Sequence, residues 1–113
     1  MLAAIDHDTS AAAGAFLKVV ANRFPLTRAM LFGSRARRAF GAESDADVAV
    51  FLSGAPQSFA RTKLSMADIA YDVLLETGIL IQPLPIWEAQ WERPETHANP
   101  GLLRNIARDG VPL

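Results

Sequence analysis

The chain has 113 residues, of which half are hydrophobic, and a formal net charge of -1. This length allows one modest hydrophobic core, so we expect a single domain over residues 1–113. The near-zero net charge argues against a general nucleic-acid-binding protein, and no direct nucleic-acid binding is expected. Without cysteine there are no disulfides or thiolate metal sites, and His7 and His97 lack the spacing of zinc ligands.

No segment reaches the roughly 18 apolar residues of a membrane span, and the N-terminus lacks the pattern of a signal peptide. We therefore expect a cytoplasmic protein that does not associate with membranes. The apolar content is high for a small soluble chain, which indicates that a partner covers some apolar surface, in a homo- or hetero-oligomer.

The first predicted element is a helix from Ala11 to about Phe24. Asp8, Thr9 and Ser10 are candidate caps for its N-terminus, and Pro25 helps to end it. Its apolar residues recur at helical spacing and should pack on a sheet: Phe16, Leu17, Val20 and Phe24.

A predicted strand, a tight turn and the start of a short helix follow. The apolar run from Ala29 to Phe32 stops at Gly33-Ser34, after which the chain is rich in arginine. Gly33 has no side chain to block a close approach by phosphate, and Ser34 offers a hydroxyl. The free N–H groups at the start of a helix also favour an anion, so this turn is a candidate phosphate site.

Two carboxylates begin the next predicted strand. Asp45 and Asp47 are two residues apart, so their side chains share one side of the strand and can reach one metal ion. Val48, Val50 and Leu52 should then point the other way, into a core. The competing interpretation is structural, with Asp45 ending a loop and Asp47 facing solvent as an edge-strand charge.

The remainder predicts a long helix from Gln57 to Thr77, stopped by Gly78, and a third strand from Ile79 to Ile86. Pro83 and Pro85 confine part of this strand to a sheet edge or a bulge. A short helix over residues 87–93 is expected next, with Trp87 and Trp91 on one helical face. A last helix from about Gly101 to Arg108 completes the prediction.

The pair Gly33-Ser34, followed after ten residues by Asp45-Ala46-Asp47, resembles the signature of the nucleotidyltransferase superfamily with the polymerase-beta-like fold. In so short a chain it is most similar to a minimal nucleotidyltransferase. The resemblance implies an α/β (α+β) fold in which helices flank a small mixed β-sheet. It also implies that Gly33 and Ser34 hold the phosphates of a nucleoside triphosphate, while Asp45 and Asp47 are catalytic and bind Mg²⁺.

Arginines after the turn would add positive charge beside the triphosphate, because Arg can bind phosphate bidentately. Arg35 and Arg37 are the assigned nucleotide-binding candidates, with Arg38 as a third possibility, and the sequence leaves open which of them points inward. The chain departs from the family pattern twice. Many relatives have glycine where Arg38 stands, and active members commonly have a third carboxylate on the strand where this chain offers only Gln82.

The function implied by the resemblance is Mg²⁺-dependent transfer of a nucleoside monophosphate, AMP from ATP, onto a hydroxyl of a partner protein. Minimal members often act as the antitoxin of a small helical HEPN ribonuclease, so such a toxin is the expected partner. The alternative is a catalytically weak binding protein that neutralises its partner by complex formation. Transfer to a small molecule is a third interpretation, less favoured because such relatives usually need extra sequence to hold the acceptor.

Overall fold

Four strands form one mixed sheet in the computed structural model, which describes residues 5–113. The strands are β1 (Leu26–Phe32), β2 (Ala46–Leu52), β3 (Ile81–Trp87) and β4 (Val111–Pro112), in the spatial order β3-β2-β1-β4. β1 is antiparallel to both β2 and β4, whereas β2 and β3 are parallel. The helices are α1 (His7–Arg23), α2 (Gly33–Ala36), α3 (Phe59–Thr77), α4 (Glu88–Glu92) and α5 (Pro100–Asp109), with a 3-10 turn at Pro94–Thr96. The expected α/β fold with a small mixed sheet flanked by helices is confirmed.

Alternation along β2 gives the sheet two packed faces. Val48, Val50 and Leu52 join the larger core, which also takes buried side chains from α1 and α3. Ala49 and Phe51 point to the opposite face, where they pack against α5. Asp47 continues this second row toward the start of β2, since residues two apart share a face.

The N-terminal cap of α1 is a different residue from the three predicted candidates. The helix starts at His7 and its cap is Asp6, whose Oδ2 accepts a hydrogen bond from the backbone N–H of Thr9 at 3.0 Å. Burial raises the pKa of the Asp6 carboxyl, but hydrogen bonds from Thr9 and the charge of Arg35 outweigh it and lower the pKa. Thr9 is not a cap because it lies inside the first turn, and its buried hydroxyl accepts a hydrogen bond from Arg35.

The long helix α3 has clear signals at both ends. The side chain of Ser58 accepts a hydrogen bond from the N–H of Arg61, so the helix starts two residues later than Gln57. Gly78 has φ of 80°, the left-handed conformation in which a side chain is unfavourable, and it ends the helix as predicted.

The proline-containing strand β3 lies at the edge of the sheet, as its two prolines predict. It starts at Ile81, two residues after the predicted start. The expectation that Trp87 and Trp91 share a helical face is wrong, because Trp87 ends β3 and is only 2% exposed. Trp91 lies in α4, where its ring meets Phe51 edge-on with the centroids 4.9 Å apart.

β4 is too short to show any periodicity in sequence. Its two residues pair with Met30 and Leu31 of β1 and close the other edge of the sheet. Within residues 5–113, no helix combines the length and apolar character needed to cross a membrane.

Candidate active site

The Gly33 turn and the Asp47 carboxylate are in direct contact. Phe32 and Asp47 are register partners at the paired ends of β1 and β2, so Gly33, the next residue, lies beside Asp47. Gly33 has φ of +74°, and a β-carbon added there would overlap the Oδ2 atom of Asp47. Only glycine therefore fits at this position without displacing the carboxylate.

Asp47 is half-buried, and its charge is unfavourable in this environment. Burial raises the pKa of the Asp47 carboxyl, and the nearby negative charge of Asp45 raises it further. The positive charges of Arg37 and Lys63 act in the opposite direction without cancelling the shift. A bound cation would relieve both causes of the raised pKa.

Gln82 completes a polar group with the two aspartates. It is the register partner of Asp47 across the parallel pair β2 and β3, and its Nε2 donates a hydrogen bond to Oδ2 of Asp45 at 3.1 Å. Asp45 is exposed just before β2. The structure thus brings the three side chains together, as the sequence predicts for Gln82.

These residues fit one hard divalent cation. Two carboxylates and an amide oxygen are suitable donors for Mg²⁺, which keeps several of its positions for water and phosphate. Across residues 5–113 no group of three or more histidine, cysteine or acidic side chains is arranged to hold a metal ion. A cation held here would take carboxylate oxygens from Asp45 and Asp47 and fill its remaining positions with other ligands.

A cleft of about 230 Å³ opens between the turn and α5. Gly33, Arg37 and Asp47 lie on its sheet side. Residues of α5 form the opposite wall: Leu102, Asn105, Ile106 and Asp109. No sequence pattern indicated this wall, because α5 lies more than fifty residues from the motif and reaches it only through the sheet.

The three arginines after the turn have different positions. Arg37 lines the cleft, where its positive charge opposes the rise in the pKa of Asp47 without cancelling it. Arg35 does not enter the cleft: it is only 3% exposed and lines a separate cavity. Arg38 has φ of 58°, the left-handed region that favours glycine, which is the residue the family pattern has here.

Arg35 instead connects three segments around the site. Its Nε donates to the backbone carbonyl of Ser44 at 2.9 Å, and its Nη1 donates to the Thr9 hydroxyl at 2.8 Å. The guanidinium also lies over the Phe40 ring, 4.5 Å from the centroid. Because Ser44 directly precedes Asp45, these contacts fix the loop that presents the first aspartate.

Ser34 lies beside Gly33, and Lys63 acts on the site through its charge. Ser34 is the second residue of α2 and is partly exposed beside Gly33. Lys63, from the first half of α3, was not identified from the sequence, because nothing in its spacing relates it to the motif. Its charge nevertheless acts on Asp47.

Comparisons with known proteins agree with this geometry. A family model described as "Polymerase beta, Nucleotidyltransferase" matches residues 17–85, which include the turn, both aspartates and Gln82. A crystal structure from Sulfolobus solfataricus, described as a "putative nucleotidyltransferase", superposes with a TM-score of 0.56 at 19% identity. The match covers 95% of this chain and 86% of that one, and at this identity it shows the fold alone. No curated protein gives a significant match.

The contact between Gly33 and Asp47 makes the turn intolerant of a side chain. We expect Gly33→Ala to destabilise the fold by about 1–2 kcal/mol from the left-handed backbone alone, and more from displacement of the carboxylate. Urea unfolding would measure the loss. Gly41→Ala is the matched control, since its added β-carbon would meet nothing within 4 Å. Equal stability of the two variants would contradict the tight approach.

The raised pKa of Asp47 predicts a cost in stability. A carboxyl whose pKa is raised by folding binds its proton more tightly in the folded state, so stability falls as pH rises through the raised value. The lost stability is not regained at neutral pH, because the carboxyl is then ionised in both the folded and the unfolded state. Asp47→Asn should therefore be more stable than the parent at pH 7 without divalent metal, and the difference should close below about pH 3.

Thermal melts at the two pH values would measure this effect. Asp72→Asn serves as the control, because Asp72 is exposed on α3, far along the chain from the cleft. A parent more stable than Asp47→Asn at pH 7 would show that the carboxylate is a stabilising group.

Proposed function

The chain belongs to the polymerase beta nucleotidyltransferase family, and on that basis we propose that it transfers a nucleoside monophosphate, AMP from ATP, onto a hydroxyl of a partner protein. The observation that carries this proposal is the contact of the Gly33 turn with Asp47, beside Asp45. This contact supports the proposal because a phosphate bound at the turn would lie next to two carboxylates that suit Mg²⁺. Phosphate and metal must be adjacent in this reaction, since the metal neutralises the phosphate charge.

The phosphates of the nucleotide are proposed to lie along the turn. Gly33 leaves room for close approach, and the Ser34 hydroxyl can donate a hydrogen bond to a phosphate oxygen. Arg37 and Lys63 supply positive charge, in place of the buried Arg35. Together they would hold pyrophosphate as the leaving group while the acceptor oxygen forms its bond to the α-phosphorus.

Asp45 and Asp47 are proposed to hold Mg²⁺, which when bound supplies charge neutralisation for the triphosphate. Asp47 is fixed by the turn, whereas Asp45 is exposed and held by the Gln82 amide. The metal side of the cleft is therefore open to solvent at Asp45. A hydroxyl presented by another protein can approach from this side.

We also propose that the acceptor hydroxyl is carried by a partner protein. Family resemblance favours a HEPN-type helical ribonuclease as the partner and an antitoxin role for this chain. The exposure of Asp45 supports an acceptor that arrives on another protein, because a hydroxyl can reach this carboxylate from solvent.

Gln82 favours a second candidate function. An amide cannot take a proton from the attacking hydroxyl, and general-base catalysis is typically worth roughly 10²–10⁴-fold in rate. Where active relatives have an acid, this chain has a group that only orients Asp45. A slow or inactive nucleotidyltransferase that neutralises its partner by binding is therefore the alternative.

Binding of nucleotide tests the site before any transfer is measured. Asp45→Asn and Asp47→Asn should each lose Mg²⁺-dependent ATP binding, because each removes a ligand charge that the metal needs. Isothermal titration calorimetry with ATP, with and without Mg²⁺, would measure it. Asp72→Asn should bind like the parent. Unchanged Mg²⁺-dependent affinity in both site variants would refute the metal assignment.

Transfer then separates the enzyme from the binding protein. Gln82→Glu places a carboxylate beside Asp45 and Asp47 at little change in volume, so transfer of labelled AMP should be faster, by up to about 10²-fold. The acceptor to use is a purified HEPN-type helical protein, the proposed partner. Gln57→Glu, on the exposed segment before α3, is the control for added charge.

Asp45→Asn gives the blank for this assay. If neither the parent nor Gln82→Glu labels the partner, while the partner still binds, the chain acts by binding alone.

A further inference from the structure

The outer side of α3 carries an apolar row that no described residue covers. Among residues 5–113 four large hydrophobic side chains are exposed, and three belong to this helix: Leu64 at 68%, Tyr71 at 57% and Leu75 at 70%. Two small exposed residues continue the row. We define the outer seam as Ala60, Leu64, Ala67, Tyr71 and Leu75.

The outer seam is separate from the core-facing side of the same helix. Met66, Ile69 and Val73 are buried against the sheet and α1. At 100° per residue the seam lies on the opposite side of the helix, facing solvent. Its spacings of four, three, four and four residues are those of a helix that packs lengthwise against another helix.

Charge along one flank of the seam changes sign from end to end. Arg61 lies near the N-terminal end of that flank, and Asp72 lies on the same flank toward the C-terminal end. In an antiparallel helix pair, the same flank of each helix faces the other helix, and the N-terminal end of one lies beside the C-terminal end of the other. Each Arg61 would then face an Asp72, whereas a parallel pair would bring Arg61 beside the like charge of Lys63 on the other flank.

We propose that the outer seam is a self-association surface, which pairs antiparallel with the same seam of a second copy of this chain. A twofold axis between positions 67 and 68 places Leu64 of each copy against Tyr71 of the other. The same axis places Ala60 against Leu75. The small Ala67 lies at the crossing point, where it lets the two helices approach closely.

The same axis determines which charged side chains of the two copies lie close together. The axis places Arg61 of one copy level with position 74 of the other. Asp72 of that other copy is then two residues, or roughly 3 Å, away along the helix, which is within side-chain reach. Asp68 lies close to the axis on that flank and faces its own copy. This arrangement therefore contains two attractive pairs and one repulsive pair.

Pairing through α3 leaves the candidate active site accessible. The cleft lies on the α5 face of the sheet, whereas the outer seam lies beyond the α1 and α3 layer on the other face. The dimer would carry two open clefts. This inference depends on the fold and on the exposed residues, not on the proposed transfer activity.

Sedimentation equilibrium of the purified chain, from about 1 µM to about 500 µM, would measure self-association in the range expected for a small interface. We expect a monomer–dimer equilibrium that Leu64→Asp weakens at least about tenfold, the effect of burying an unpaired charge in the seam. Asn22→Asp, at an exposed position of α1 outside the seam, is the matched control, and circular dichroism melts would confirm that both variants fold.

Charge variants test the orientation. Arg61→Glu alone should weaken the dimer, and Arg61→Glu combined with Asp72→Arg should restore it, because the pair is exchanged and not lost. Asp68→Asn should strengthen the dimer by removing the repulsive contact. A heterologous partner on this surface would give no such rescue in the isolated chain.

Cross-linking fixes the register, since the chain has no native cysteine. Ala67→Cys should form a disulfide dimer on oxidation, whereas Ala60→Cys should not, because its two copies would lie about 22 Å apart along the pair. A mixture of Ala60→Cys and Leu75→Cys should cross-link.

A folded chain that stays monomeric at the highest concentration would overturn the proposal. So would a dimer that tolerates Leu64→Asp, or one in which Ala60→Cys cross-links to itself.

Discussion

The contact between the Gly33 backbone and the Asp47 carboxylate is the constraint on which the candidate site depends. It forms because β1 ends where β2 begins, and because a residue without a side chain can adopt positive φ directly over the carboxylate. The proposed phosphate site at the turn and the proposed metal site at the strand would be neighbours because of this one approach. The cost is a half-buried carboxyl with a raised pKa.

The buried guanidinium of Arg35 holds the segments around this contact in place. Arg35 follows the turn in sequence, yet its hydrogen bonds go to Thr9 of α1 and to the carbonyl of Ser44. Since both acceptors are buried or partly buried, the charge is stabilised by hydrogen bonds and by the Phe40 ring, not by water. An arginine that follows the Gly33 turn thus holds the loop that carries Asp45.

Two apparent departures from the family pattern have different consequences. Arg38 adopts the left-handed backbone conformation that glycine favours. Gln82 occupies a position beside both aspartates, where it can orient Asp45 but cannot accept a proton. The first departure costs backbone strain, whereas the second changes what chemistry the site can perform.

The sequence by itself determined the strand–turn–helix around Gly33, the proximity of Asp45 and Asp47 at the start of β2, and the edge position of β3. These follow from local rules: backbone freedom at glycine, alternation along a strand, and the missing N–H of proline. Only the tertiary structure decided that Arg35 turns away from the cleft, that α5 forms its opposite wall and that the charge of Lys63 acts on Asp47. Such contacts join residues far apart in sequence, and their directions depend on how the helices pack across the sheet.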